Sequence, residues 1–334
     1  MATDTHHYEE RTVVDRVAGR ARWLAEMYGR LDLSAQLSFW VVTVITAAAL
    51  AAPFITPYSP SEQLAITTDP ALKLAAPSMA HPMGTDLYGR DIYTRLVYGA
   101  RASLAVGLLA VGIAATVGIT AGAVAGYVGG WVDEIIMRSM DVLISFPALV
   151  LAITLVGALG SETVLTIVPV LGGVLSSLPL VGSWFSNNIV NVIFVIGLVY
   201  SPQIARVTRG EVLTTTEEEF VEAAENTGLS RFNVLFRHVL PNAMAPVLVQ
   251  ATFLVATAIL FEASLSYLGL GVQPPTPTWG VMISNGQGYL PDSWWWTTFP
   301  GLGIMVTVLA LNLLGDGLRD EFDPRSATEG GPGK

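Results

Sequence analysis

The chain has 334 residues, 52% of them hydrophobic and only 13% charged, with a mean hydropathy of +0.54. That charge content is about half the usual share of a soluble domain, so the sequence reads as a membrane protein. The formal net charge of −10 argues against a nucleic-acid partner, and the absence of cysteine excludes disulfides and thiolate metal sites.

Only two lysines occur, Lys73 and Lys334, against fifteen arginines. A P-loop needs a lysine preceded by Gly and followed by Ser or Thr to hold phosphates, and neither lysine stands in that context. If ATP drives this protein, another polypeptide binds it.

Residues 1–33 carry five arginines (Arg11, Arg16, Arg20, Arg22 and Arg30) and six acids. Val13, Val17, Leu24, Met27, Tyr28 and Leu31 roughly follow a helical stripe, which predicts a helix on the inner membrane face; a loosely ordered tail is the alternative. A cleaved signal peptide is not expected, because the apolar segment comes late and lacks a small-residue cleavage site. Leu37 to Ile55 is 19 uncharged residues, long enough to span a bilayer, and Pro53 and Pro57 mark its end. A long polar loop, 58–101, follows. It contains His81-Pro82-Met83-Gly84-Thr85-Asp86 and Gly89-Arg90-Asp91. Its Gly and Asp residues suit turns, Arg90 and Asp91 suit structural pairing, and Leu87, Ile92, Leu96 and Val97 supply one side of an interfacial helix.

Ala102 to Val132 holds no charge in 31 residues and is rich in small residues: Gly107, Gly112, Gly118, Gly122 and Gly126. A close packing face is the preferred reading, with a lining for a transport path as the alternative. Trp131, Asp133, Glu134, Arg138 and Asp141 then read as a short charged loop, and Val142 to Ser161 as the third span, with Pro147 near its start. Thr163 to Ala205 offers 43 uncharged residues, enough for two spans, although Pro169, Gly172, Gly173 and Pro179 interrupt the first half. Counting both gives seven spans. The arginines argue for six: that count places thirteen Lys and Arg on the side of the two chain ends and four on the other. Residues 162–187 then become an external or re-entrant insertion.

The stretch Glu217 to Asn242 is charged and helix-prone between two apolar runs. Phe220, Ala223, Ala224, Thr227 and Leu229 fall near helical spacing, and Gly228 can end the helix and turn the chain. A second short helix fits Phe232 to Leu240, with Phe232, Leu235, Phe236 and Val239 as its apolar positions and Pro241 as its stop. The fifth span lies near Ala243 to Leu268. Glu262 is the one acid well inside a predicted span, near its outer end; structural pairing and a gating or substrate-path role are both open. Trp294, Trp295 and Trp296 open the sixth span as an interfacial belt, and the Gly-rich tail after Ser326 is expected to be disordered.

Four separated blocks carry a family resemblance over roughly residues 37–325. Glu222-Ala223-Ala224, three further residues, Gly228, eleven further residues and Leu240-Pro241 resemble the EAA loop of ABC importer permeases. The 81–91 block is similar to a signature of the C-type subunit of dipeptide, oligopeptide and nickel permeases. So is Glu262 to Gly271, with Tyr267 in place of the usual Phe, followed by Pro274, Pro275, Trp279 and Gly280. Asn312, Gly315-Asp316, Leu318-Arg319-Asp320 and Asp323-Pro324-Arg325 resemble the family's C-terminal pattern.

The resemblance implies an all-α integral membrane protein with the six-helix fold of type I ABC importer permeases and a cytoplasmic coupling helix. The expected layout is a cytoplasmic segment 1–35, a first span with its long external loop at 36–101, a permease domain at 102–318 and a cytoplasmic tail at 319–334. It implies a permease subunit in the cytoplasmic membrane, both ends cytoplasmic, in contact with lipid. Its partners would be a homologous second permease, two ABC ATPases and an external solute-binding protein. The chain would bind no cofactor, with ATP and Mg used by the ATPases. Phe220, Glu222, Ala223, Ala224, Gly228, Leu240 and Pro241 would form the ATPase-coupling loop, Glu222 supplying charge, the alanines close approach and Gly228 the turn. Peptides are the expected cargo, with nickel or another small solute as the alternative. An ion-coupled secondary transporter needs ionisable groups inside its spans, and only Glu262 qualifies. An intramembrane enzyme finds no paired nucleophile and base: His6, His7, His81 and His238 are scattered.

Overall fold

The computed structural model describes residues 28–159 and 187–322. The expected helix stripe from Val13 to Met27, the insertion up to residue 186 and the block at Asp323 lie outside them. The described residues are helical apart from connectors and one isolated bridge between Thr85 and Asp91.

Helix α1 is Leu33–Leu50 and α2 is Ile92–Val128. The Asp32 carboxylate caps α1, accepting from the Ser34 and Ala35 N–H groups, and these donors with the Ser34 hydroxyl hold its pKa below the usual carboxylate value. The second helix starts ten residues earlier than its uncharged run at Ala102, at Ile92. Arg95 falls in the expected polar loop ahead of that run, but its side chain is buried and donates to the Pro60 carbonyl at 2.7 Å. The charge is met by protein, so the helix passes through it.

Helix α3 is Gly130–Ser145 and α4 is Ala148–Leu159; they meet at 95° around Phe146-Pro147. The expected charged loop of Asp133 to Asp141 is therefore helix. Its carboxylates are satisfied by arginines 65 and 76 residues away, a pairing the local sequence does not display. Helix α5 is Asn187–Thr216, α6 is Glu219–Asn226, α7 is Arg231–Val234 and α8 is Leu240–Tyr267. Helices α9, Trp279–Gly286, and α10, Trp295–Phe322, complete the set. Five of these segments are long and apolar enough to cross a membrane, and six if the bent α3–α4 pair is one span.

Helix directions follow from the contacts. Gly118 faces Ser201 and Ile204, Gly122 faces Ala205 and Thr208, and Gly126 faces Arg209 and Val212, so α2 and α5 run parallel. Ser103 meets Glu262 while Gly107 meets Ile259, so α8 runs antiparallel to α2. Gly315 lies on Phe253, and Gly317 lies against Ala35, which brings the start of α1 and the end of α10 to one end of the bundle. Arg30 and Glu321 close that contact at 3.2 Å. The loop between α5 and α8 sits at the same end. Helices α2 and α5 therefore end, and α8 begins, at the end that bears this loop. The five long apolar segments, or six with the bent α3–α4 pair, fit the six-span expectation.

The α2–α5 seam is the closest packing in the bundle. A Cβ on Gly118 would lie 2.6 Å from the Ser201 carbonyl oxygen, and one on Gly122 would overlap the Ala205 carbonyl. The glycines of the packing-face reading thus divide: Gly118, Gly122 and Gly126 are in the seam, and Gly112 has nothing within 4 Å. Gly122→Leu should cost about 1–3 kcal/mol or more by overpacking. Gly112→Leu should leave stability unchanged. Thermal unfolding of the two detergent-purified variants checks this; equal midpoints would show that the seam is not tight.

Candidate functional site

Residues 217–242 form a polar unit at one end of the bundle. After α5, Glu217 and Glu218 turn the chain directly into α6. Glu219 and Glu222 lie in the first turn of α6, where the helix dipole favours negative charge. Its end is closed by three bonds: Thr227 N–H to Ala223 O, Thr227 Oγ1 to Ala224 O at 2.7 Å, and Gly228 N–H to Glu225 O at 3.0 Å. Gly228 has φ +82°, a left-handed conformation that a glycine adopts without a Cβ penalty. Ser230 then caps α7, its Oγ accepting from the Asn233 N–H.

The buried face differs from the stripe that the sequence suggests. Val221 and Ala224 point inward, joining Ala123, Val212, Val234, Leu235, Val239 and Ala243 in one apolar cluster, with Leu240 packed against it. Phe220, Glu222, Ala223, Gly228 and Pro241 are exposed. Of the expected apolar positions of the second helix, Leu235 and Val239 are buried while Phe232 and Phe236 are exposed. Their rings lie 4.5 Å apart on the surface. Sequence reasoning missed that outward pair because all four fit one spacing; only a helix with two apolar faces accounts for it. The Tyr127 hydroxyl of α2 donates to Glu225 at 3.2 Å and ties α6 to the bundle.

Pro241 does not stop the second helix. Residues Leu235–Val239 are π-helical, with Leu240 N–H bonded to Leu235 O, and the chain runs on into α8. A π turn absorbs a register change, so the proline, which has no N–H, sits in the first turn of α8 without a break. The Asn242 side-chain amide donates to the His238 carbonyl at 2.6 Å and satisfies one of the backbone acceptors there.

Glu262 lies at the opposite end and is fully buried. Ser103 Oγ of α2 donates to its Oε2 at 3.1 Å, and Ser266 Oγ of α8 to its Oε1 at 2.7 Å. The Thr278 hydroxyl is a third hydrogen-bond partner. Each hydroxyl also accepts a backbone N–H: Ser103 from Trp279, Ser266 from Val272 and Thr278 from Val281. A hydroxyl has one proton to give. All three are thus free to give it to Glu262, which gathers α2, α8 and the 269–281 connector onto one carboxylate. This geometry is that of structural pairing.

The 81–91 block is a second fastener at that end. Asp91 caps α2 through the Thr94 N–H at 2.7 Å and holds His81 Nδ1 at 2.9 Å. Arg90 pairs with Asp86 at 2.6 Å, not with its neighbour Asp91. The tryptophan belt is also revised. Trp294 is exposed, while Trp295 and Trp296 are buried. Trp295 Nε1 donates to Thr85 O, and Trp296 stacks on Tyr289 at 5.5 Å. Among the described residues no group of His, Asp and Glu is arranged to hold a metal.

Comparison with known proteins supplies the wider context. A family model described as the inner membrane component of binding-protein-dependent transport systems matches residues 118–328. A model of the N-terminal transmembrane domain of oligopeptide transport permease C matches residues 34–77. The dipeptide transport system permease protein DppC of Alkalihalophilus pseudofirmus is 40% identical over 285 residues, covering 85% of this chain and 84% of the relative. The di/tripeptide transport system permease protein DppC of Pseudomonas aeruginosa is 39% identical, with 84% and 85% covered. The glutathione transport system permease protein GsiD of Escherichia coli is 39% identical, with 75% and 74% covered.

The Glu262 cluster generates a stability prediction. Glu262→Ala removes the shared acceptor and leaves buried hydroxyls unsatisfied, at a cost on the order of 3 kcal/mol. Ser103→Ala removes one donor of three and should cost about 1 kcal/mol. Unfolding midpoints of the purified variants should fall in that order. A Glu262→Ala protein as stable as the parent would show that the carboxylate is not the fastener.

Proposed function

Because the chain belongs to the family of binding-protein-dependent transport system inner membrane components, we propose that it is one of two homologous permease subunits of an ATP-driven importer of di- or oligopeptides. It is a multi-pass membrane protein, and its family works with ATPase and other partner components. In our reading those partners are a second permease, two ABC ATPases that use ATP and Mg, and an external solute-binding protein. The names of the relatives, which specify dipeptides, tripeptides and glutathione, support the peptide cargo.

The observation that carries the reading is the outward face of the 217–242 unit. Its inner face is already buried against its own bundle. Its outer face presents Phe220, Ala223, Phe232 and Phe236 among Glu217, Glu218, Glu219, Glu222 and Glu225. Exposed aromatic side chains rimmed by charge mark a protein-contact surface. In this role α6 is the coupling helix and docks on an ATPase. Glu222 offers charge, Ala223 lets the partner approach and Phe220 inserts. Ala224 faces inward and seats the helix, while Leu240 and Pro241 join the unit to α8. ATP-driven closure of the ATPases moves the unit, and the spans alternate access to a central path. Glu262 acts as a fastener rather than a gate.

Lys and Arg are concentrated at the end that bears this unit, which supports a cytoplasmic location for it and for both chain ends. Single cysteines in this cysteine-free chain test the orientation. Gln273→Cys should react with an impermeant thiol reagent added outside intact cells, and Glu222→Cys only after the inner face is opened. The reverse pattern would invert the topology.

Coupling is tested by two substitutions in the reconstituted transporter. Gly228→Pro cannot adopt the +82° φ, and Glu222→Lys reverses the charge on the outward face. Both variants should remain in the membrane and lose ATP-dependent uptake of a dipeptide. Normal uptake by both would sink the docking role. A tagged chain isolated in mild detergent should carry a second permease and P-loop ATPases with it.

A further inference from the structure

Helix α3 is held in an unusual way. None of its residues is buried, and Trp131, Ile135 and Val142 are exposed on its apolar face. At its start Gly129 and Gly130 have φ +66° and +57°, with open space around both Cβ positions. Such a glycine pair turns the chain from α2 into α3 without a Cβ penalty. At its far end the chain bends by 95° into α4 at Pro147. Two ion pairs cross from α3 to α5. Arg209 holds Asp133 through two parallel bonds, Nε to Oδ1 at 2.5 Å and Nη2 to Oδ2 at 2.6 Å. Arg206 Nη2 reaches Asp141 Oδ1 at 2.7 Å. Together with Glu134 and Arg138 they line an open groove of about 480 Å³ between the two helices.

The position of the arginines gives this arrangement a consequence. Arg209 lies on the part of α5 that packs most tightly on α2, against Gly122 and Gly126. Two helical turns further on, α5 ends at Thr216 and hands the chain to α6. Helix α5 is thus the stalk of the outward-facing unit, and α2 is locked to it. Beyond the bend, α4 packs Ala152 into one apolar cluster with Ile193 and Ile196 of α5. Helix α3 itself buries no residue, and the two ion pairs are its polar ties to the stalk. A paired, two-bond Arg–carboxylate contact fixes orientation as well as distance, which a single apolar contact does not.

We propose that Asp133–Arg209 and Asp141–Arg206 are the positioning contacts through which α3, the near half of the α3–α4 arm, follows α5 during each transport cycle. The inference rests on the importer reading given above. The four side chains are not the docking surface and do not touch the ATPase; they determine how much of a movement of α6 reaches the arm. Exposed ion pairs contribute little to stability, so their loss should uncouple the protein rather than unfold it.

The test is a charge-reversal cycle in proteoliposomes holding the complete transporter, reading dipeptide uptake per ATP hydrolysed. Arg209→Glu should lower that ratio about tenfold while ATP hydrolysis continues. The swapped pair Asp133→Arg with Arg209→Glu should restore most of the ratio, and Arg209→Lys, which keeps the charge but loses the second bond, should fall between. An unchanged ratio in Arg209→Glu overturns the proposal. A parallel loss of uptake and hydrolysis reports lost protein, and the swapped pair then decides. A swapped pair that assembles but stays uncoupled also overturns it, and decides the matter even if Arg209→Glu alone fails to assemble. Parent transporter whose uptake needs no ATP would instead overturn the importer reading itself.

Discussion

Hydrophobic burial gives helices little reason to associate in lipid, because the solvent is as apolar as the side chains. Close backbone approach is one of the few sources of binding left, and here a run of three glycines builds it into the α2–α5 seam. Gly118, Gly122 and Gly126 recur once per turn along α2 and let α5 come within van der Waals contact of its backbone. The seam sets the two helices parallel and fixes where each ends. The polar unit depends on it directly: Ala123 of α2 and Val212 of α5 are the floor on which Val221 and Ala224 of α6 rest. The smallness of Ala224 is a continuation of the same packing rule, one element further along.

The opposite end is held by different chemistry. There the connectors are long and polar, and carboxylates organise them. Asp86 gathers the Tyr88 and Arg90 N–H groups and the Arg90 guanidinium. Asp91 caps α2 and holds His81, and Glu262 joins α2, α8 and the 269–281 connector. Asp86 and Asp91 accept backbone N–H groups that would otherwise lack acceptors, and Glu262 accepts buried hydroxyls; leaving such groups unpaired is costly in a low-dielectric setting. Trp279 links these fasteners to the apolar core, its Nε1 donating to Leu96 O while its ring fills the space beside Gly99 and Gly303.

What was legible in the sequence was what depends on local pattern. The apolar runs located the spans, the arginine bias pointed to six rather than seven, and the Glu-Ala-Ala to Leu-Pro spacing located the helix–turn–helix with Gly228 at its turn. What was misread depends on partners distant in sequence. Asp133 and Asp141 looked like loop residues because their arginines are 76 and 65 positions away. Arg95 looked like part of a loop because Pro60 and Asp86 are not adjacent to it in the chain. For Glu262 structural pairing was one of two open readings, and its partner Ser103 lies 159 residues earlier. Pro241 looked like a stop because a π turn leaves no mark in hydrophobic spacing. The outward direction of Phe232 and Phe236 has a similar origin: periodicity reports that residues share a helix, and not which neighbours have already filled its inner side.

These features together describe how a push on the polar unit would spread. The unit is continuous with two spans, since α6 leaves α5 after a two-residue turn and α7 runs through the π turn into α8. A displacement at the outward face therefore enters both helices at once, and they run in opposite directions across the bundle. Helix α5 cannot slide on α2 without breaking the glycine seam, so it carries α2 with it. Helix α8 is fastened to α2 at its far end by Glu262 and Ser103, while its near end moves with the unit. A rod pinned at one end and driven at the other pivots. In the importer reading, α8 would then turn about its contact with Ser103 as the unit moves.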